Sequence, residues 1–392
     1  MKSRVVTFVF LTVFLDLIGF GIIIPLLPLY VESMGGTAQI TGFILSVFSL
    51  TQLVATPILG RLSDKFGRRK VILLSLAGNA ASMLIFALAT HLRILPLLFI
   101  SRIVAGATAG NIAACQAAIA DVTEGEERAK GMGRVGAAIG LGMVLGPATG
   151  SVLAIAGPWG PPMGAAALAL VDLLAAFFWM PETRAGTSNA PILAAKPDAA
   201  KTKLLEALLA HSRILIVLGV YFLMFLAMTN LQVALALLAK ERFDWGEKEV
   251  GAGFAAFGAI MLVIQGGLIG RIARVFSAVN IAMTGGAFMC AGLAAIAFAR
   301  SSLMLVCGVC AIAIGMGLNG PVLSTMASEM AGEKRRGTVL GFVQSSGGLA
   351  RTVGPVLSGF LFTTLGSTAP FVAGAVAAAL MAGLAATLKR ER

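Results

Sequence analysis

Twelve apolar runs, most of them near 20 residues long, divide this chain at about 5–29, 40–60, 71–90, 94–120, 132–156, 163–180, 212–238, 250–270, 278–299, 302–328, 337–363 and 367–388. A helix needs ~20 apolar residues to cross a hydrocarbon core. In such a core the backbone N–H and C=O groups must be satisfied without water, which leaves helices or closed barrels. The runs therefore predict an all-α membrane protein of twelve transmembrane helices, α1 to α12. Only 12% of residues are charged and the mean hydropathy is +0.93, against the ~25% charged residues usual in soluble domains. The first run is too long for a signal peptide and lacks a small-residue cleavage site, so it reads as α1.

A net charge of +12 can signal a nucleic-acid partner, but here its placement follows topology. Five basic residues (Arg93, Lys240, Arg242, Lys248 and Arg300) fall in loops on one side, and Arg102 and Arg351 fall within helices. The other 23 of the 30 Lys and Arg lie on the opposite side with both termini. Basic loops stay in the cytoplasm, which predicts cytoplasmic termini. The four cysteines lie inside apolar runs, and Cys307 and Cys310 have no second pair or nearby His to complete a metal site.

Residues 60–70, between α2 and α3, concentrate the signal. Five of these eleven residues are Lys or Arg, Gly60 and Gly67 permit a tight reversal, and Asp64 is placed to pair with the cations or to face a helix N-terminus. The pattern Gly60-x-Leu62-x-Asp64-x-x-Gly67-Arg68-Arg69 resembles the signature loop of the major facilitator superfamily. An ordinary cytoplasmic loop needs the basic residues but not the Gly-Asp-Gly spacing. The resemblance implies two six-helix bundles, and the polar stretch Pro181–His211 reads as the linker between them. The expected units are residues 1–182, a linker 183–211, and residues 212–392.

An internal repeat supports the halving. At an offset of 208 residues Asn111 falls on Asn319, Asp121 on Glu329, Arg128 on Arg336, Gly133 on Gly341, Gly140 on Gly348, Gly146 on Gly354 and Pro147 on Pro355. Duplicated units of this kind build transporters that rock two halves about a midplane site. The loop after α8, Arg271-Ile272-Ala273-Arg274, lacks an aspartate, so the second copy of the opening motif is degenerate. Asp121 and Glu329 close α4 and α10 and are expected to latch the basic loop and its copy as gating residues.

Gly136, Gly140, Gly142, Gly146, Pro147 and Gly150 crowd α5, with a looser copy through Gly354 and Pro355 in α11. Small residues four apart let helices approach closely. The run resembles the Gly-Pro-x-x-Gly motif of the superfamily's antiporter branch and suggests a moving seam between the bundles. The alternative is generic helix packing. In α1, Asp16-Leu-Ile-Gly19-Phe-Gly21 through Pro25 and Pro28 resembles the motif of twelve-helix drug/proton antiporters. A carboxyl group at that depth must be paired, protonated or reached by water, and a group poised between these states can carry a proton. A locked structural pair is the other reading. Arg102, in a pattern resembling the superfamily's α4 arginine motif, is placed at a similar depth and is expected to bias Asp16 rather than carry a proton. Asp172 in α6 and Arg351 in α11 complete a balance of buried charges and suggest structural pairing or pore exposure.

By the resemblance, the cavity lies on α1, α4, α7 and α10, where Asn111, Gln116, Asn230, Gln232 and Asn319 join Asp16 among Phe, Met and Leu. A few polar groups in a greasy pocket suit a lipophilic compound. Met180-Pro181-Glu182-Thr183, Glu241-Arg242-Phe243-x-Trp245 and Gln265 before Gly270-Arg271 resemble the tetracycline/proton exporters. Departures stand at Ser82 and Met261, which replace an acid and a histidine of those exporters, and in α9, which has no acid. The implied function is proton-coupled antiport of a small lipophilic, drug-like compound, with tetracycline-like compounds among the candidates. A bacterial inner membrane, a monomer, the proton as sole coupling ion and no cofactor are expected. The alternative within the same fold is a flippase for a lipid or lipid-linked sugar. No metal-ligand cluster or nucleophile motif supports an enzyme.

Overall fold

A computed structural model describes residues 2–183 and 212–390, so the expected linker lies, apart from Thr183, outside the described residues. Among the described residues eleven helices are long and apolar enough to cross a membrane: α1 Lys2–Ile23, α2 Ala38–Phe66, α3 Arg68–Leu92, α4 Leu95–Val122, α5 Lys130–Ala156, α6 Gly160–Trp179, α7 Arg213–Val233, α8 Glu247–Val275, α9 Ala278–Ala297, α10 Ser302–Met330 and α12 Ala369–Lys389. The twelfth, α11, is the remainder of the helical stretch Ser302–Leu365, residues 339–365. Both ends of that stretch lie on one side of the molecule. Ser302 Oγ accepts from Trp245 Nε1 at 3.3 Å, and Gly359 lies against the Ala38 carbonyl. The same side holds the 3.0 Å ion pair from Lys240 to Glu32. The chain therefore reverses within the stretch, and α10 and α11 are separate crossings.

Local chemistry sets the ends. Pro25 follows the close of α1 at Ile23, where a missing N–H and a fixed φ end the ladder. Ser277 and Ser301 cap α9 and α10 by accepting the Asn280 and Met304 N–H groups at 3.3 and 3.2 Å. The expected loop at 60–70 is mostly helix. α2 runs on through Phe66 and α3 starts at Arg68, leaving Gly67, at φ +101°, as the whole reversal. That backbone region excludes other residues at low cost. Gly60 sits within the helix with open space around it and takes no part in the turn.

In the first bundle α1 packs on α5, α6 and α4, and α3 on α4 and α6. In the second, α9 packs on α10 and α12, and α7 on α11 and α12. The bundles meet along two seams, α2 with α11 and α5 with α8. Gly42 abuts the Pro355 carbonyl in one seam, and Gly251 abuts Pro147 and Ser151 in the other.

Candidate functional site

Three places carry the chemistry: a clamp beside the Gly67 reversal, a half-buried carboxylate cluster inside the first bundle, and a cavity between the bundles.

At the clamp, Arg68 donates from Nε to Asp121 Oδ2 at 2.8 Å and from Nη1 to Asp64 Oδ1 at 2.7 Å and Ser63 Oγ at 3.2 Å. These charge-assisted bonds tie α2 and α3 to the end of α4. The acid at the α3 N-terminus is Glu182, whose carboxylate accepts the Arg68 and Arg69 backbone N–H groups at 2.9 and 3.3 Å. Asp64, one of the two placements expected for it, pairs with Arg68 instead. Arg69 Nη2 donates to the Phe177 carbonyl at 2.7 Å. All of these partners belong to the first bundle. In the second copy Glu329, Arg271 and Arg274 are exposed, and among the described residues no ion pair joins them.

The carboxylate cluster depends on a break in α4. Helical structure stops at Ala107 and resumes at Asn111, where Gly106 lies against Thr51 and the Phe48 carbonyl, and Gly110 against Leu59. The resumed segment opens on Asn111, whose Nδ2 donates to Asp16 Oδ2 at 3.4 Å. Asn79 Nδ2 in α3 donates to Asp16 Oδ1 at 2.6 Å, and Cys115 Sγ donates to Asn111 Oδ1 at 3.3 Å. Asn79 escaped the sequence reading because a lone Asn in an apolar run marks no role until its neighbour is known.

Asp16 meets neither Arg102 nor Arg351. Arg102 precedes Asn111 by nine residues, roughly 13 Å at ~1.5 Å per residue, so the similar depth expected for it does not hold. Its side chain is fully buried, with the guanidinium 4.9 Å from the Phe86 ring centre, Nη2 3.4 Å from Ser101 Oγ, and Nε and Nη1 without partners. Ser82 Oγ donates to the Ser101 carbonyl at 2.9 Å beside it. Arg351 lies over the Phe225 ring at 4.6 Å, next to Tyr221.

The seam reading needs correction. Gly142, Gly146 and Gly150 face α1 inside their own bundle, against Leu17, Gly21 and Ile22. Residues four apart share one helix face, and the face turned to α8 carries Met143, Val144, Pro147 and Ser151 instead. At the α5–α8 seam Gly251 and Gly258 of α8 meet the α5 backbone, and Gly140 of α5 faces Leu262. Gly354 likewise packs on Thr229 within the second bundle, while Pro355 is in the α2–α11 seam.

These contacts are uneven along the seams. On the side away from the termini, Lys240 pairs with Glu32 and Ser151 Oγ donates to the Lys248 carbonyl at 2.7 Å. Toward the termini, Gly133, Gly136, Gly266 and Gly341 have open space where a Cβ would stand. A cavity of about 470 Å³ occupies that region, walled by Phe20, Met228, Phe254, Phe257 and Met261 among others. Among the described residues its polar side chains are Gln232 and Gln265, and no acid or base lines it. Gln265 stands in a π-helical turn, Ile264–Leu268, in α8. Such bulges mark functional sites often enough to guide a search. Of the five polar residues expected in the cavity, Gln232 alone lines it. Asn111 binds Asp16, Gln116 is exposed, Asn230 donates to the Ala227 carbonyl at 3.1 Å, and Asn319 is fully buried without a partner.

A model of the Major Facilitator Superfamily matches residues 9–264 and 217–392. The chain belongs to that superfamily. This superfamily protein is 30% identical to the class C tetracycline resistance protein of Escherichia coli over 97% of its own length and 95% of the relative's. It is also 30% identical to multidrug resistance protein 2 of Bacillus subtilis, covering 89% of its own length and 86% of the relative's. The crystal structure of the human organic anion transporter MFSD10 superimposes with a TM-score of 0.69 and 29% identity, covering 98% of this chain and 99% of that one. The protein is a membrane transporter and not an enzyme.

Proposed function

We propose that this transporter exports a small lipophilic compound in exchange for protons by alternating access. The observation that carries the reading is the cavity between the bundles, an apolar wall with two glutamines, open toward the termini and closed on the other side. That lining suits a neutral or amphipathic aromatic compound and offers few partners to a sugar. Met261 on the cavity wall stands where the tetracycline exporters carry a histidine, and among the described residues no acid lines the pocket to hold a metal-chelated drug. Asp16 is the proposed coupling site, since its carboxylate is held by two neutral amides and by no cation. A membrane potential of ~100 mV contributes ~2.3 kcal/mol per charge moved. In this reading the basic side faces the cytoplasm of a bacterial inner membrane, with both termini inside, and the monomer works without a bound cofactor. The α2–α3 clamp and the two seams are its gating parts, with Arg102 and Arg351 as buried cations that shape the field.

Proton flux in inside-out vesicles tests the proposal, using a pH-sensitive dye and a panel of lipophilic antibiotics, dyes, tetracycline and organic anions. Substrate-triggered proton movement in the wild type, absent from Asp16→Asn, is the expected result. Equal proton movement in both proteins overturns the assignment of Asp16. Silence of correctly inserted wild type across the panel favours the lipid-flippase reading, which lipid scrambling measures directly.

A further inference from the structure

Asp172 is the buried ionisable group that the role of Asp16 leaves unused. It lies in α6, 1% exposed, and neither carboxylate oxygen has a hydrogen-bond donor. The register of α1 against α6 places it. Gly19 faces the Ala165 carbonyl at 3.9 Å, measured from where a Cβ would stand, and the two helices run antiparallel. Seven residues back along α1 is Thr12, and seven residues on along α6 is Asp172. Thr12 is itself 1% exposed, its hydroxyl has no hydrogen-bond partner, and it lies beside the Asp172 carboxylate. Thr12 and Asp16 are four apart and so share a face of α1. Asp172 therefore stands one helical turn, roughly 6 Å, nearer the termini than Asp16.

The titratable groups around the two acids are each other and Cys115, and among the described residues no Lys, Arg or His forms an ion pair with either. Ionising both carboxylates inside the bundle without a cation is costly, and a shared proton relieves that cost. Asp16 has two amide donors that support its charged form, while Asp172 has only the Thr12 hydroxyl beside it.

We infer that Asp172 is a second proton station, and that a proton leaving Asp16 passes through the Thr12 hydroxyl to Asp172 and out toward the termini. The step starts after Asp172 has released its proton on that side. The Asp16 O–H bond then breaks, Thr12 Oγ takes that proton and gives its own to the Asp172 carboxylate, and the negative charge moves from Asp172 to Asp16. No electron is transferred. The route runs inside the first bundle along α1, and Phe20, four residues on from Asp16 and on the same face, lines the cavity. Proton site and cargo cavity thus adjoin along one helix. This inference rests on Asp16 as the coupling site.

The test compares wild type, Asp172→Asn, Thr12→Val and Thr12→Ser in proteoliposomes, with a compound that the wild type exports. Export driven by a pH gradient is measured beside substrate counterflow, which exchanges cargo without a net proton cycle. For Asp172→Asn the expected result is unchanged counterflow with driven export reduced about a hundred-fold or more, the scale of a lost proton-transfer group. Thr12→Val falls in the same assay and Thr12→Ser restores it. Driven export equal to wild type in Asp172→Asn overturns the relay and leaves the coupling reading intact. Equal loss of counterflow and driven export makes Asp172 a structural residue and also overturns the relay. A wild type that exports without any response to the gradient removes the coupling reading itself, and the relay with it.

Discussion

The two bundles share a frame and differ in what they bury. At the 208-residue offset Pro147 and Pro355 occupy the two seams, and the glycines that receive them are Gly251 and Gly42. The positions 208 residues beyond Asp16 and Asp172 are Met224 and Leu380. Asn111 holds a carboxylate, while its counterpart Asn319 is buried with neither side-chain atom bonded. The Arg68 clamp has no counterpart among the described residues of the second copy. The seam prolines thus recur in both halves, while among the described residues the carboxylates inside a bundle, Asp16 and Asp172, lie in one half.

The largest effect is expected at the seams. A leucine at Gly251 or at Gly42 meets the backbone of Pro147 or Pro355 and blocks closure on the side away from the termini. Either variant should lose transport ten-fold or more, equivalent to ~1.4 kcal/mol or more. Transport assays in which one seam tolerates the leucine and the other does not would break the equivalence of the two.

A smaller effect separates the paired asparagines. Asn111→Leu removes a donor from Asp16 and leaves that acid under-satisfied, at about 1–3 kcal/mol. Driven export should fall about ten-fold. Asn319→Leu replaces a buried amide that makes no hydrogen bond, so thermal stability should be unchanged or raised. A loss of driven export in Asn319→Leu equal to that in Asn111→Leu would place coupling chemistry in both halves.

The smallest effect is on the clamp. Arg68→Ala breaks charge-assisted bonds to Asp64 and Asp121 and should cost about 1–2 kcal/mol in thermal unfolding. Arg271→Ala, at an exposed residue of the degenerate copy, should leave the melting curve in place. Equal shifts would mean that the second copy holds a clamp of its own.

The frame was legible in the sequence because its signals are local. Apolar runs give the crossings, basic loops give the sidedness, and a constant offset of Gly, Pro and Asn gives the duplication. The site was less legible, because its contacts depend on which face each residue turns. Three glycines four apart in α5 announced a close approach, but only the packing shows that their partner is α1 rather than the opposite bundle. The depths of Asp16 and Arg102 seemed alike until the break at Thr108–Gly110 set Asn111, not Arg102, beside the acid. Asn230 and Asn319 carried the right chemistry on the wrong faces, while Gln265 reached the cavity through a π-turn that no periodicity reveals.

The central claim is that protonation of Asp16 in one bundle sets the balance of two duplicated seams. It is tested most directly by electron–electron distance measurements on a cysteine-free protein in lipid. Spin labels at Gly35 and Glu241 report on the closed side, and labels at Arg61 and Gly270 on the open side. In the wild type, moving from alkaline to acidic pH should redistribute both distances in opposite senses, and Asp16→Asn should give one distribution at either pH. An Asp16→Asn protein that still switches with pH as the wild type does would contradict the account.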